Sequence, residues 1–311
     1  LLKIKPALII DVESYGAYAS QKNVESIFAT NVLRLARNLE DLSESSLRSM
    51  YLHAGSYTEY GEQADLAPEN LKADQLSPHT LFAVSKASAA QLISYYGRHR
   101  GLSCAHLRLF SLYGPYDEPG RLITELCRNG LRQKWSALGH AKNGRDFLFV
   151  DDALSAFLSV AGHLNKHPEL KAEYFNVGSG HELKLREVAF VASELFDIPG
   201  EAPFGEYLDK SWDVKSWSAN TEKLQRLTRW KPEYSFEEGL KICKDWWMSH
   251  PQLTPQPMAY RKPMLSVVVA VYKDERSLEE LYNEVVATSI RHGFDFELIF
   301  VNDGSPDQSE Q

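Results

Sequence analysis

Apolar residues follow two different spacings along most of the chain. Short continuous runs over residues 7–12, 49–54, 104–109 and 174–177 are typical of strands buried in a parallel sheet. Apolar residues at helical spacing predict helices over residues 24–42, 80–99, 121–133, 151–163 and 184–195, and a long polar loop fills 61–79. Strands that alternate with helices of this length predict an α/β fold with a mostly parallel sheet covered on both faces.

The pattern changes between residues 249 and 263, where four prolines stand among polar residues. Such a stretch is typical of an interdomain linker. Beyond it, a strand over 265–272, a helix over 277–292 and a strand over 296–301 predict a second βαβ unit. Two strands and one helix cannot bury a core alone. We therefore expect a first domain over 1–248, a linker over 249–263, and the opening of a second domain over 264–311.

The bulk composition narrows the class of protein. A chain of 311 residues with 43% apolar and 24% charged residues is ordinary for a soluble globular protein. A formal net charge of −8 argues against a nucleic-acid partner, although a local pocket for one diphosphate is compatible with it. Three distant cysteines fit reduced thiols. The sequence contains no signal peptide and no apolar run of about 18 residues, so we expect a cytoplasmic location.

Candidate chemistry lies at the ends of the predicted strands. Ser56 follows the second strand, and position 82 lies one helical turn before Lys86 on the helix that follows the long loop. Ligands collect at the carboxyl ends of parallel strands. Ser56, Phe82 and Lys86 are therefore predicted to face one crevice.

Seven segments carry a family resemblance. They are SYGAY at Ser14, NV at Asn31, HAGSYTEYG at His53, FAVSK at Phe82, LRLFSLYGP at Leu107, GRDFLFVDD at Gly144 and YFNVGSG at Tyr174. In this order and spacing, the chain resembles the extended short-chain dehydrogenases/reductases, the NAD-dependent nucleotide-sugar epimerase/dehydratase family, up to about Met248. The resemblance implies a Rossmann-like sheet with a smaller C-terminal substrate subdomain, and NAD or NADP as cofactor.

The family's Ser/Thr–Tyr–Lys triad is incomplete here. The resemblance assigns the Ser/Thr role, a hydrogen bond to the reacting oxygen, to Ser56. It assigns to Lys86 the role of lowering the tyrosine pKa and holding the nicotinamide ribose. The tyrosine position holds Phe82, whose ring has no proton to transfer. Tyr57 and Thr80 are nearby hydroxyls, but neither has the tyrosine's spacing from Lys86.

Further departures refine the prediction. Glu13 stands where the family has small residues against the cofactor, so it either hydrogen-bonds a ribose or is a solvated or ion-paired strand-end residue. The Asp-Glu pair of the 4,6-dehydratases is absent after Ser56, with Glu59 one place late, which disfavours dehydratase activity. No glycine-rich phosphate loop occurs. The first strand matches the family's fourth, so we expect the loop to precede Leu1.

The resemblance also implies binding residues. The cofactor side comprises Ser14, Tyr15, Asn31 and Lys86, and the substrate side comprises Ser111, Arg145 and Tyr57, with Arg145 near the nucleotide diphosphate. No metal is expected. Asp146, Asp151 and Asp152 could form a metal cluster, but we expect Asp151 and Asp152 to cap the helix that follows and to place negative charge at its N-terminus. Asn176 and Gly178 are expected to shape a turn. Five of the six tryptophans, at 212, 217, 230, 246 and 247, are expected to pack in the core and the subdomain.

The second unit contains LSVVVAVYKDE and VNDGSPD and resembles the start of family-2 glycosyltransferases, with a GT-A-like βαβ unit. That resemblance places Tyr272, Asp274 and Asp303 near the donor nucleotide. Taken together, the resemblances imply a nucleotide-sugar epimerase or reductase fused to a sugar transferase in polysaccharide synthesis. The alternative is an inactive nucleotide-sugar-binding scaffold attached to a glycosyltransferase. Pairing of the helices over 24–42 and 80–99 would give a homodimer.

Overall fold

The structure is a computed structural model that describes residues 5–18, 20–63, 65–68, 75–205, 217–250, 265–271 and 296–302. The chain forms two compact units, Leu1–Pro251 and Gln252–Gln311. None of the helices in these ranges combines the length and the apolar character that crossing a membrane requires.

The first unit contains most of the secondary structure. In chain order its elements are β1 (Leu8–Asp11), α1 (Val24–Phe28), a π-helical turn (Ala29–Arg34), α2 (Leu35–Glu44), β2 (Met50–Ser56), a 3₁₀ segment (Tyr57–Gln63), α3 (Leu81–Arg100), β3 (Cys104–Leu109), β4 (Ser111–Tyr113), α4 (Leu122–Gly130), β5 (Gly144–Arg145), β6 (Phe147–Phe149), α5 (Val150–Lys166), β7 (Glu173–Val177), β8 (Leu183–Lys184), α6 (Leu185–Phe196), α7 (Glu222–Thr228) and α8 (Phe236–Ser249).

The central sheet is parallel, in the order β1-β2-β3-β7, with helices on both faces. Side chains of β2 alternate between the faces, as a strand requires. Leu52 and Ala54 pack in the core with α5, whereas Tyr51 packs on the other side with residues of α2 and α3. The predicted α/β fold with a mostly parallel sheet is therefore confirmed.

The first strand differs from its prediction as a buried strand. In the described residues β1 pairs only with β2, and most of its residues are half-buried. Val12, which directly follows, is 63% exposed. A continuous apolar run has the same pattern in a central strand and in an edge strand, so the sequence could not distinguish them.

Helix α3 places the candidate lysine against the sheet. Thr80 caps it by accepting a hydrogen bond from the Ala83 amide at 3.1 Å, and Gly101 ends it with a φ of +75°. Lys86 lies on its buried face together with Ala89 and Ile93.

A smaller helical layer follows the sheet. Helices α4, α6 and α8 share a second apolar core with Phe147 and Phe149 of β6. Helices α7 and α8 were not predicted from the sequence. Helix α8 begins at a capping box. The Ser235 side chain accepts a hydrogen bond from the Glu238 amide, and the Glu238 side chain accepts one from the Ser235 amide.

For Asp151 and Asp152 the predicted negative charge at the N-terminus of α5 is confirmed, but the predicted cap is wrong. Asp151 and Asp152 do lie in the first turn of α5, but no side chain caps the helix. The buried Asp152 carboxylate instead accepts hydrogen bonds from the Glu233 amide at 2.7 Å and the Tyr234 amide at 3.2 Å. It therefore fastens the segment before α8 to α5.

In the second unit, strands β9 (Leu265–Val271) and β10 (Phe296–Asn302) pair in parallel, with Leu265 opposite Phe296. Both predicted strands are confirmed. The helix predicted over 277–292 and the positions Tyr272, Asp274 and Asp303 lie outside the described residues.

Candidate active site

A cavity of about 700 Å³ opens at the carboxyl ends of β1, β2 and β3. This volume is in the range of small-molecule sites. Six residues predicted from the sequence share its wall: Ser14, Ser56, Tyr57, Phe82, Lys86 and Ser111. The topology therefore brings together residues that are up to 97 positions apart in the chain.

Ser56 is the last residue of β2 and presents its hydroxyl at this wall. The Ser56 Oγ lies 2.8 Å from the Thr58 Oγ1, and the Thr58 amide donates to it at 3.2 Å. The Ser56 amide in turn donates to the Glu59 carboxylate at 2.8 Å. The turn after β2 therefore fixes the direction of the hydroxyl. Thr58 also lines the cavity and was not recognised as a site residue from the sequence.

Lys86 reaches the cavity from the buried face of α3. Its side chain is almost fully buried, and the Nζ donates to the Ala54 carbonyl of β2 at 2.9 Å. Burial lowers the pKa of Lys86 to about 8, although the negative charges of Glu59 and Asp11 partly oppose that shift. Lys86 is therefore an ammonium that can lose its proton near neutral pH.

Phe82 occupies the wall position one helical turn before Lys86. Its ring centroid lies 5.9 Å from the Lys86 Nζ, within the range of a cation–π contact. The two hydroxyls that were considered as substitutes are both held in packing or capping contacts. Thr80 caps α3, and the Tyr57 ring packs against Phe110 and Trp217 at centroid distances of 5.3 and 4.4 Å.

A buried ionic network lies beneath the Ser56 turn. The Glu59 carboxylate accepts hydrogen bonds from Arg108 Nε at 2.7 Å and contacts His106 Nε2 at 2.8 Å, and neither partner is exposed. Arg108 also donates to the Tyr60 hydroxyl at 3.1 Å, which donates to the Asn176 side chain at 2.7 Å. The network joins the turn after β2 to β3 and β7.

The network fixes the charge of Glu59. Burial alone would raise the pKa of this carboxyl, but the charges and hydrogen bonds of His106 and Arg108 outweigh it and lower the pKa to about 2. His53, whose Nδ1 lies 3.0 Å from the His106 Nδ1, has a pKa well below its ordinary value because of burial and the nearby Lys86. Glu59 does not line the cavity. It is therefore held as an internal anion.

The loop after β1 is held by the buried amide of Asn31 and by Gln21, whose Oε1 accepts from the Gly16 amide at 2.8 Å. Asn31, in the π-helical turn, accepts from the Tyr15 amide at 3.0 Å, and its Nδ2 donates to the Tyr15 carbonyl at 2.8 Å and to Ser85 Oγ at 2.8 Å. Ser14 lines the cavity, whereas Tyr15 and Asn31, both predicted to bind cofactor, lie outside its wall. π-Helical turns are frequent at functional sites, and this one positions the loop.

Glu13 is ion-paired, which is the second of its two predicted roles. Its Oε2 lies 2.8 Å from the Nε of Arg34, which also binds the buried Asp11 carboxylate at 2.9 Å. The Asp11 carboxylate accepts a further hydrogen bond from the Tyr51 hydroxyl at 2.5 Å. Glu13 is not part of the cavity wall.

The substrate side differs in part from the sequence prediction. Ser111 lines the cavity, but Arg145 does not; its Nη1 donates to the Gly144 carbonyl at 2.7 Å, and its guanidinium lies 5.9 Å from the Trp217 ring. Arg121, which was not predicted, supplies a guanidinium to the wall, held by a hydrogen bond to the Leu112 carbonyl at 2.9 Å. Trp217, expected in the core, is buried but forms part of the cavity wall.

Asp146 stabilises the segments around the site. Its carboxylate accepts from the amides of Ser179, Gly180 and Ala219 at 2.6, 3.0 and 3.0 Å. Asn176, expected in a turn, lies in β7 and donates to the Ala67 carbonyl at 2.8 Å. Within the described ranges no group of three or more His, Cys, Asp or Glu residues could hold a metal ion.

Comparisons with known proteins point to one family. The model of the "NAD dependent epimerase/dehydratase family" matches residues 1–178. The trifunctional UDP-glucose 4,6-dehydratase/UDP-4-keto-6-deoxy-D-glucose 3,5-epimerase/UDP-4-keto-L-rhamnose-reductase RHM1 of Arabidopsis thaliana is 28% identical over 229 residues, which are 73% of this chain. The chain spans only 33% of that relative's length.

Two solved structures share the fold. RMD from Pseudomonas aeruginosa, complexed with NADPH, gives a TM-score of 0.68 at 23% identity over 79% of this chain and 82% of that one. A tyrosine-to-phenylalanine variant of UDP-glucuronic acid 4-epimerase from Bacillus cereus, in complex with UDP-4-deoxy-4-fluoro-glucuronic acid and NAD, gives 0.68 at 20% identity over 78% and 75%.

The cavity fits one end of a nicotinamide dinucleotide. Ile10, Val12 and Ala54 give it an apolar wall, and the Lys86 ammonium has three donors, of which the Ala54 carbonyl takes one. These groups suit a nicotinamide ring and its ribose hydroxyls. The chain contains no glycine-rich loop to hold the pyrophosphate.

Proposed function

The chain belongs to the NAD-dependent epimerase/dehydratase family, and on that premise we propose that the domain of the parent protein to which residues 1–248 belong binds NAD or NADP together with a nucleotide sugar and acts as an epimerase or reductase of the sugar. The observation that carries the proposal is the shared cavity wall of Ser56, Lys86 and Arg121 at the carboxyl ends of the parallel strands. These residues offer a hydroxyl, an ammonium and a guanidinium to a single ligand.

Different residues of the cavity wall have different roles in the proposed reaction. A nicotinamide cofactor, when bound, would supply the hydride chemistry at a sugar carbon. Ser56 donates a hydrogen bond to the oxygen on that carbon, and the Thr58 hydroxyl at 2.8 Å keeps the Ser56 hydroxyl oriented. Lys86 holds the ribose hydroxyls with the donors that Ala54 leaves available. Phe82 and the apolar wall exclude water, which strengthens the electrostatic interactions inside the cavity.

The substrate diphosphate is assigned to the polar rim. Arg121 lines the wall, and its guanidinium is a group that binds phosphate. Its Nη2 donates to the Leu112 carbonyl and its Nε lies 3.5 Å from Asp117, so a phosphate would take the donors that these two partners leave. Ser111 adds a hydroxyl beside it, and Tyr57 offers an aromatic face to the sugar. Arg145 lies behind Trp217 and reaches the diphosphate only if its side chain turns away from the Gly144 carbonyl.

The second candidate is a domain that binds the same ligands without turnover. Phe82 supports it, because a phenyl ring has no proton to transfer. The tyrosine-to-phenylalanine variant of the Bacillus cereus epimerase holds both NAD and a sugar nucleotide, so the exchange of residues is compatible with binding in that protein. In this candidate Ser56, Lys86 and Arg121 serve binding alone.

One set of variants distinguishes the two candidates. Isothermal titration with NAD, NADP and a panel of UDP- and dTDP-sugars measures binding, and transfer of deuterium from a labelled sugar to the cofactor measures turnover. Wild type, Phe82→Tyr and Phe190→Tyr are compared; Phe190 is exposed on α6, so its variant adds a phenol far from the cavity.

An active enzyme is expected to bind both ligands and to transfer deuterium in wild type and in Phe190→Tyr. Binding without transfer, with transfer appearing only in Phe82→Tyr, would favour the scaffold. If neither ligand binds to any of the three proteins, the proposed function is wrong.

We also propose that the second unit is the start of a family-2 glycosyltransferase domain, so that the parent protein modifies an activated sugar and then transfers it during polysaccharide synthesis. The parallel pair β9 and β10 is compatible with a GT-A-like βαβ unit. A purified protein extended beyond Gln311 should transfer sugar from a nucleotide donor to a lipid phosphate. Failure of that transfer would remove the transferase assignment and leave the first proposal intact.

A homodimer is proposed from the long helices. Leu33, Val84 and Tyr95 are large apolar residues that are 54%, 36% and 47% exposed on the helices predicted to pair. Light scattering after size-exclusion chromatography is expected to give twice the monomer mass. A monomer at 100 µM would exclude the pairing.

A further inference from the structure

The proposed function does not say which group of the cavity wall moves the proton. A hydride transfer at a sugar carbinol must be accompanied by loss or gain of the hydroxyl proton. Phe82 cannot take it. The Ser56 and Thr58 hydroxyls do not ionise near neutral pH, and a guanidinium such as that of Arg121 does not release its proton.

Lys86 differs from the other polar groups of the wall in its surroundings. It is only 2% exposed, and in the described ranges its nitrogen forms no ion pair with a carboxylate. The nitrogen donates a hydrogen bond to the neutral Ala54 carbonyl. An ammonium buried in this way is poorly solvated, which favours the neutral amine. Lys86 is nonetheless one of the residues that line the cavity.

Charged and titratable groups approach Lys86 from several elements. They are Asp11 on β1, Glu13 after it, Arg34 in the π-helical turn, His53 on β2, Glu59 in the 3₁₀ segment and His106 on β3. Glu59, Asp11 and Glu13 favour the charged form and Arg34 opposes it, while burial is the largest influence and favours the neutral form. The result is a pKa of about 8, close to the value that suits a general base at neutral pH.

We propose that Lys86 is itself the proton carrier of this site, in place of the missing tyrosine. The neutral Lys86 amine takes the proton of the sugar hydroxyl, directly or across one water, as hydride leaves the same carbon for the nicotinamide. The O–H and C–H bonds break, the C=O double bond forms, and the lysine becomes an ammonium. In the reverse step, hydride returns to the carbon and the ammonium returns the proton to the oxygen. This role rests on the proposed function.

The first test reads the titration of Lys86 without any catalysis. The full chain is pulse-labelled with limiting acetic anhydride from pH 6 to 11, and peptide mass spectrometry gives the labelling of Lys86 relative to the exposed Lys231. The reactivity of Lys86 is expected to have its midpoint near pH 8. A midpoint above pH 10 would overturn the proposal. This test needs no variant, so a folding defect of a variant cannot affect the result.

The second test separates a proton carrier from a fixed positive charge. Lys86→Arg keeps the charge but does not titrate in the working range. We expect its kcat to fall by about 100-fold or more, while its Kd for cofactor changes far less, and we expect added Phe82→Tyr to restore part of the loss. In wild type, log kcat should rise with unit slope up to about pH 8 and then level off.

Three outcomes would overturn the role of Lys86 while ligand binding upholds the proposed function. One is full activity in Lys86→Arg. Another is loss of activity in His79→Gln, whose imidazole also lines the cavity, without loss in Lys86→Arg. The third is binding without turnover in wild type. If wild type and Phe82→Tyr bind neither ligand, the proposed function fails, and the catalytic role of Lys86 with it.

Discussion

Replacement of Glu59 by glutamine tests whether the buried network supports the turn that carries Ser56. Glutamine keeps the shape of the side chain and can still accept the Ser56 amide, but it removes the charge that Arg108 and His106 face at 2.7 and 2.8 Å. Breaking one partner of a buried ion pair costs about 3–5 kcal/mol, because the other charge stays buried. For a unit of this size that corresponds to a fall of roughly 6–20 °C in Tm.

The pKa of Glu59 gives an independent route to the same magnitude. A folded pKa of about 2 lies a little over two units below the ordinary glutamate value, which corresponds to about 3 kcal/mol. Because the folded pKa is depressed, this stability is fully present above about pH 5 and is lost as the pH falls towards 2. The stability difference between wild type and Glu59→Gln should therefore be about 0.6 kcal/mol smaller at pH 4 than at pH 7.

Urea denaturation followed by tryptophan fluorescence measures both quantities. Glu173→Gln is the matched control, because it removes the same charge from an ion pair with Lys223 at 2.9 Å whose side chains are 22% and 26% exposed. That variant should lose less than about 1 kcal/mol. If Glu59→Gln loses no more than Glu173→Gln, the network does not stabilise the turn and the reasoning is wrong.

Three further results are expected. Gly55→Ala should lower the free energy of unfolding by about 1–3 kcal/mol in the same denaturation experiment, because its Cβ would lie 2.2 Å from the His106 ring. Gly162→Ala should instead raise it by up to about 1 kcal/mol, because the space around Gly162 in α5 is open. Lys86→Met should raise the free energy of unfolding at pH 7 by about 1–3 kcal/mol. Because the pKa of Lys86 is lowered in the folded protein, this gain in stability should shrink as the pH rises from 8 to 10.5. A gain that stays constant with pH would contradict the lowered pKa of Lys86. The three buried cysteines should resist a thiol reagent until urea unfolds the protein, since burial raises the pKa of the Cys104 thiol to about 12; rapid reaction in buffer would refute this.

The parallel sheet and its helices could be predicted because their periodic patterns are long. The strand over 104–109 agrees with the structure at both ends, and the helix over 80–99 is displaced by one residue. Helices α7 and α8 were not predicted. Helix α7 is only seven residues long and has two leucines, whereas α8 carries Phe236, Leu240, Cys243 and Trp247 at helical spacing, a signal that could have found it. Among the described residues β1 pairs with β2 alone, and a hydrophobic run does not specify pairing partners.

The sequence predicted only those site residues that lie at the end of a strand or on one face of a helix. Ser56, Phe82 and Lys86 share the cavity wall as expected. The ionic network could not be found in the same way, since Glu59, His106 and Arg108 are polar residues at buried positions, and a sequence does not show that they neutralise one another. Arg121 was missed because its place on the wall depends on where the segment between β4 and α4 crosses the sheet.

The amide of Asn31 has a consequence for how this site can evolve. Its three hydrogen bonds go to the main chain of Tyr15 and to the Ser85 hydroxyl. They therefore hold the backbone of the loop and do not depend on the side chains of the loop. Aspartate would lack the donors, and glutamine is one methylene too long. Neighbouring positions such as Ser14 and Ala17 can thus exchange side chains on an unchanged backbone. Selection for a new ligand can act on the wall of the cavity while the frame that supports it stays the same.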